Sequence, residues 1–97
     1  MNCKISHPNN IINCEINLPS SKSISNRLLI IKALSNKAIT INDISNSEDT
    51  INLKKGIYST SKNIDINHSG TAFRFLTSYF SSTKNTEYIL TGSKRIQ

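Results

Sequence analysis

Apolar residues recur along this chain with two different periods, and the switches between them divide it into elements. From Asn2 to His7 and from Ile11 to Leu18, Ile and Cys alternate or cluster with polar residues around the turn-forming "PNN". That pattern predicts two short strands joined as a hairpin. Pro19, Ser20 and Ser21 end it. Ile24, Leu28, Ile31 and Leu34 then follow at helical spacing, predicting a helix from about Lys22 to Asn36 with Ser20 or Ser21 as its N-cap.

"AITINDI" reads as a third strand, and "SNSEDT" opens a second helix, with Ser47 as its cap, Glu48 and Asp49 in the first turn, and Lys54 and Lys55 near the end. That charge order complements the helix dipole. A short strand at "NIDIN" precedes a third helix from about Gly70 to Ser81. Here Phe73, Leu76, Thr77 and Phe80 share a face, and both phenylalanines are expected in the core. Strand character returns at "TEYILTG". The expected order is ββαβαβαβ, an α/β arrangement.

A chain of 97 residues supports one small domain and argues against a large enclosed active site. Twelve Lys and Arg against six Asp and Glu give a net charge of +6, which calls for an anionic partner: nucleic acid, a membrane surface or a phosphorylated metabolite. The distribution narrows the choice. No carboxylate lies between Ile16 and Asn42, a span holding Lys22, Arg27, Lys32 and Lys37, and none between Ile66 and Thr86, which holds Arg74 and Lys84. Two segments could therefore line one anion site. Aromatic residues make up only 6%, too few for the stacking platforms of a nucleic-acid-binding module. The longest apolar run, Leu28 to Ile31, is far short of a membrane span, so a soluble protein is expected. Cys3 and Cys14 are too few for a zinc site, and no secretory segment is visible, so both read as reduced cytoplasmic thiols. His7 and His68 have no partners at metal-ligand spacing, and no metal is expected.

The candidate chemistry sits at helix starts. If Ser21 caps the first helix, Lys22 and Ser23 lie in its first turn, where unpaired N–H groups and the positive dipole end attract anions. Ser23 and Arg27 are four apart and share a face, so a hydroxyl and a guanidinium can approach the same phosphate or carboxylate. "SGTAFR" repeats the device, with Gly70 permitting close backbone approach, Thr71 supplying a hydroxyl and Arg74 lying one turn on. "LTGSKRIQ" could add a third basic loop through Lys94 and Arg95. Spacing alone favours a plainer reading: Ser21 only a cap, Lys22 solvated, Arg27 a surface charge, Phe73 and Phe80 core, and the last residues a solvated tail.

Taken together, "LPSSKSISNRLLIIKALS", "NSEDT", "HSGTAFRFLT" and "LTGSKRI" resemble the opening of the enolpyruvyl transferases, in the same order and spacing. The resemblance runs from about Ile11 to Gln97 and covers well under half of a complete family member, so an N-terminal fragment is expected. The sister branch acting on UDP-N-acetylglucosamine usually has "KN" where this chain has Lys22 and Ser23, and lacks the "SNR" that follows; the shikimate branch is preferred.

The resemblance implies an inside-out α/β barrel built from βαβαββ repeats. Residues 1–20 would be opening strands that pack with a C-terminal domain, and residues 21–97 an incomplete first part of the N-terminal domain. It implies transfer of the enolpyruvyl group of phosphoenolpyruvate to the 5-hydroxyl of shikimate 3-phosphate with release of phosphate. The enzyme would be cytoplasmic and monomeric at full length, without metal or organic cofactor, and the fragment alone inactive. Under it Lys22 contacts both substrates and is the catalytic candidate, Ser23 and Arg27 bind shikimate 3-phosphate, and Gly70 and Thr71 bind phosphoenolpyruvate. His68, Arg74 and Arg95 would support them. Ser20, His68 and Phe75 stand where the family commonly has Gly, Asn and Pro. A stand-alone phosphometabolite-binding remnant without catalysis remains the other reading.

Overall fold

The computed structural model describes residues 1–35 and 37–97. Its elements are α1 (Lys22–Leu34), α2 (Glu48–Ile57), β1 (Asn63–Asp65), α3 (Gly70–Ser81) and β2 (Ile89–Thr91). Each helix begins at a serine whose Oγ accepts a backbone N–H: Ser21 from Ile24, Ser47 from Thr50 and Ser69 from Ala72. The N-termini of all three helices therefore fall where the capping residues predict. The expected last residue of the first helix, Asn36, lies outside the described residues.

Helix α2 lies between α1 and α3 and organises the core. Leu53 is fully buried, and around it gather Leu29 of α1, Ala72, Leu76 and Phe80 of α3, and Ile64 and Ile66 in and after β1. Gly56 on α2 is where Leu76 comes closest: a Cβ there would collide with the Leu76 side chain. Strands β1 and β2 pair in parallel, Ile64 opposite Leu90, with α3 as the connection that parallel pairing requires. Phe80 stacks on Tyr88 at 4.0 Å between centroids and fixes the end of α3 over the approach to β2.

Three expectations need correction. Residues 2–18 form no hairpin and are exposed throughout, with Ile5, Ile16 and Leu18 all more than 70% accessible. A two-stranded hairpin is marginal by itself, and nothing among the described residues covers its apolar side. "AITINDI" likewise forms no strand, since no neighbour among the described residues offers it a ladder; instead Ile41 and Ile44 pack half-buried against the core. Finally, the apolar stripes are rotated from the faces their periodicity suggests. On α1, Ile24, Ile31 and Leu34 are exposed, whereas Ser25, Asn26 and Leu29 are buried. The reason is a tertiary contact: buried Ser25 Oγ accepts the Ser45 N–H at 2.8 Å, which turns that side of the helix inward. On α3, Phe73 is 39% exposed, because Gly56 draws Leu76, and with it Ala72 and Phe80, to the inner face.

Candidate functional site

The N-terminal ends of α1 and α3 open onto the same side of the molecule. Lys22, Ser23, Asn26 and Arg27 of α1 and Thr71, Arg74 and Phe75 of α3 line one cleft of about 170 Å³. Lys22 also borders a neighbouring notch of about 250 Å³, shared with Ser47, Glu48, Asp49, His68 and Ser69. A larger recess of about 520 Å³ lies by Lys32, Lys37 and Tyr58, beside the C-terminal ends of α1 and α2. Helix C-termini present carbonyl oxygens and the negative dipole end, so this recess is poorly suited to an anion despite its size.

Within the cleft, three cations and two hydroxyls come together from positions far apart in sequence. Arg74 Nη2 reaches Thr71 Oγ1 at 3.5 Å. A Cβ built on Gly70 would meet only Arg74 Nη1, at 3.6 Å, and Gly70 has no positive φ. Neither packing nor backbone conformation demands glycine there, and its missing side chain leaves open space beside the Arg74 guanidinium at the start of α3.

The notch is built around two carboxylates of α2. Asp49 Oδ2 accepts from Lys22 Nζ at 2.6 Å, and its Oδ1 accepts from the hydroxyl of Ser69, the cap of α3. One carboxylate thus joins the start of α1 to the start of α3. The hydrogen bond from Lys22 holds the Asp49 carboxyl below its ordinary range, helped by that from Ser69 and opposed by partial burial. Glu48 Oε1 accepts from Asn67 Nδ2 at 2.8 Å, and its Oε2 lies 3.2 Å from His68 Nε2. Asn67 adopts φ 54°, a left-handed conformation that Asn tolerates, and so turns the chain into α3.

Of the sequence-predicted residues, Lys22, Ser23, Arg27, Thr71 and Arg74 gather at the cleft with Gly70 beside them, and His68 lines the adjacent notch. Arg95 lines neither and lies exposed after β2. Sequence reasoning missed Asp49 as a site residue, having read it only as a dipole complement. Asn26 was also missed, although it lies four residues after Lys22 and three after Ser23, on one helical face with them. Among the described residues, no group of three or more His, Cys, Asp or Glu could hold a metal ion, and no helix is long and apolar enough to cross a membrane.

Comparison with known proteins bears on the same residues. The family model for EPSP synthase (3-phosphoshikimate 1-carboxyvinyltransferase) matches residues 6–58, more than half of the chain. The chain belongs to this family. Two curated relatives from strains of Bacteroides fragilis, each named 3-phosphoshikimate 1-carboxyvinyltransferase, are 43% identical over 86 residues, 89% of this chain. The chain spans about a fifth of those relatives' length, 21%. No solved structure matches it. The EPSP synthase match covers all of α1 and α2, and with them Lys22, Ser23, Arg27 and Asp49.

Proposed function

We propose that this chain forms the opening part of an enzyme that transfers the enolpyruvyl group of phosphoenolpyruvate to the 5-hydroxyl of shikimate 3-phosphate, releasing phosphate. The observation that carries the reading is the convergence of Lys22, Ser23, Arg27, Thr71 and Arg74 on one cleft at two helix N-termini, in a member of the EPSP synthase family. Both substrates are anionic at several positions. Such a cleft supplies backbone N–H groups, hydroxyls and positive charge together.

In this reading Ser23 and Arg27 hold the phosphate of shikimate 3-phosphate, while Gly70 and Thr71 present backbone and hydroxyl to phosphoenolpyruvate, supported by Arg74, His68 and Arg95. Lys22 contacts both substrates. Protonation of the methylene carbon makes the adjacent carbon electrophilic, and the 5-hydroxyl adds there. The hydroxyl gives up its proton as it adds; the adduct then loses a proton from the newly formed methyl group as the carbon–oxygen bond to phosphate breaks, which restores the carbon–carbon double bond and releases inorganic phosphate. Lys22 stabilises the charge gathering on the departing phosphate, a preorganised electrostatic role. The proton-transfer groups and further phosphoenolpyruvate ligands are supplied by chain beyond this segment.

The complete protein is then a cytoplasmic monomer with an inside-out barrel of βαβαββ repeats, working without metal or organic cofactor. Residues 1–20, exposed throughout apart from a half-buried Ser20, are its opening strands and pair within a second domain, and residues 21–97 begin the first. The segment alone is inactive. The test is phosphate release from both substrates by the protein expressed at the full length of its open reading frame. Lys22→Ala should lower turnover by about 10²-fold or more, and wild-type turnover in that variant would refute the assignment.

A further inference from the structure

The cleft has one wall residue with no evident structural employment. Asn26 is fully buried, and neither Nδ2 nor Oδ1 has a hydrogen-bond partner among the described residues. A buried carboxamide without partners is costly, and natural proteins almost always satisfy such groups. Asn26 is not a stray core polar residue. It lines the cleft with Lys22, Ser23, Arg27, Thr71 and Arg74, one helical turn below Lys22.

The donor inventory says what such a group can add. Lysine and arginine donate only, so Lys22, Arg27 and Arg74 supply donors for a phosphate in excess of any acceptors. Thr71 Oγ1 already accepts from Arg74. Among the side chains of this wall, acceptor capacity for a ligand hydroxyl rests with Ser23 Oγ, the remaining lone pair of Thr71 Oγ1 and Asn26 Oδ1, and only the amide carries its donor and its acceptor on separate atoms. We infer that Asn26 is a substrate-specificity residue: on ligand entry its carboxamide becomes hydrogen-bonded to a hydroxyl beside the bound phosphate. The site thereby selects hydroxylated phosphate esters over phosphate itself. This inference rests on the assignment of the cleft to shikimate 3-phosphate, and it adds a residue that recognises the hydroxylated ring.

The experiment uses the protein at the full length of its open reading frame and compares wild type with Asn26→Leu, which keeps volume and removes both polar atoms. Thermal midpoint is measured alongside calorimetric affinity for inorganic phosphate and for shikimate 3-phosphate. The expected result is a midpoint equal to or above wild type, phosphate affinity within twofold, and affinity for shikimate 3-phosphate lowered about tenfold, the value of one hydrogen bond lost to a buried partner. Equal shikimate 3-phosphate affinity in both proteins overturns the inference and leaves the functional reading intact. Wild type that binds phosphate but not shikimate 3-phosphate overturns the functional reading, and this inference with it. A leucine variant that does not fold overturns the claim that the amide is unpartnered in the ligand-free protein. Asn26→Ser, smaller and still polar, then reads the ligand contact: unchanged affinity for the ester refutes it as well.

Discussion

Asp49 is the residue on which the geometry of the two helix starts depends, and Asp49→Asn isolates its charge with little change of shape. Three contributions are lost or reduced. A carboxylate in the first turn of α2 gains roughly 0.5 kcal/mol from the dipole. The Lys22 ion pair, at side-chain exposures of 48% and 22%, belongs near the surface range of about 0.5–1 kcal/mol. The Ser69 hydrogen bond survives to the amide oxygen but loses its charge-assisted part, roughly another 0.5–1 kcal/mol. Together these come to about 2 kcal/mol, or about 30-fold in a local opening constant.

Native-state amide exchange reads this directly. Protection of Ala72, whose N–H is bonded to Ser69 Oγ, and of Ile24 and Ser25 in the first turn of α1, should fall about 30-fold in the variant. A loss under threefold would show that Asp49 does not tie the helix starts together. The pH dependence supplies a second arm. The folded-state pKa of Asp49 is lowered from 3.8 by Lys22 first and Ser69 second, so the folded protein binds fewer protons there than the unfolded chain. Its stabilisation is fully present above the unfolded value and is lost as pH falls through the lowered folded one. The difference between wild type and Asp49→Asn should therefore be flat from about pH 5 to 7 and vanish in stronger acid.

Two further substitutions test the packing that carries the site. Ser25→Ala removes the buried acceptor of the Ser45 N–H and leaves that donor unpaired, which should cost about 1–3 kcal/mol in urea unfolding followed by circular dichroism. Stability within 0.5 kcal/mol of wild type, on the order of measurement error, would mean the bond does not set the rotation of α1. Gly56→Ala gains about 1 kcal/mol of helix propensity but drives a methyl into the wholly buried Leu76. Against an overpacking cost of about 1–3 kcal/mol the net is a loss of up to about 2 kcal/mol, and a variant more stable than wild type would refute the close approach of α2 and α3.

What was legible in the sequence follows from the range of the interactions involved. Caps are local: Ser21, Ser47 and Ser69 each act within three residues, and all three helix starts were readable from composition. Periodicity is local too, but it shows only that a stripe exists and not what lies against it. Hence Ile24, Ile31 and Leu34 looked like core while Ser25, Asn26 and Leu29 are buried, the inward face being chosen by a bond to Ser45 twenty positions away. Strands depend on partners by definition, so "NIDIN" became β1 because Ile89–Thr91 pairs with it, whereas "AITINDI", with stronger strand composition, has no ladder to join. The site divides along the same line. Its cations were visible because each stands beside a helix-start signal, but Asp49 meets Lys22 across 27 positions, and Asn26 stands out only through the burial of both its polar atoms without partners among the described residues. Functional polar residues of this kind are hardest to read from sequence because their local chemistry is satisfied elsewhere: Asp49 by two helices that only the fold brings together, and Asn26 by a ligand.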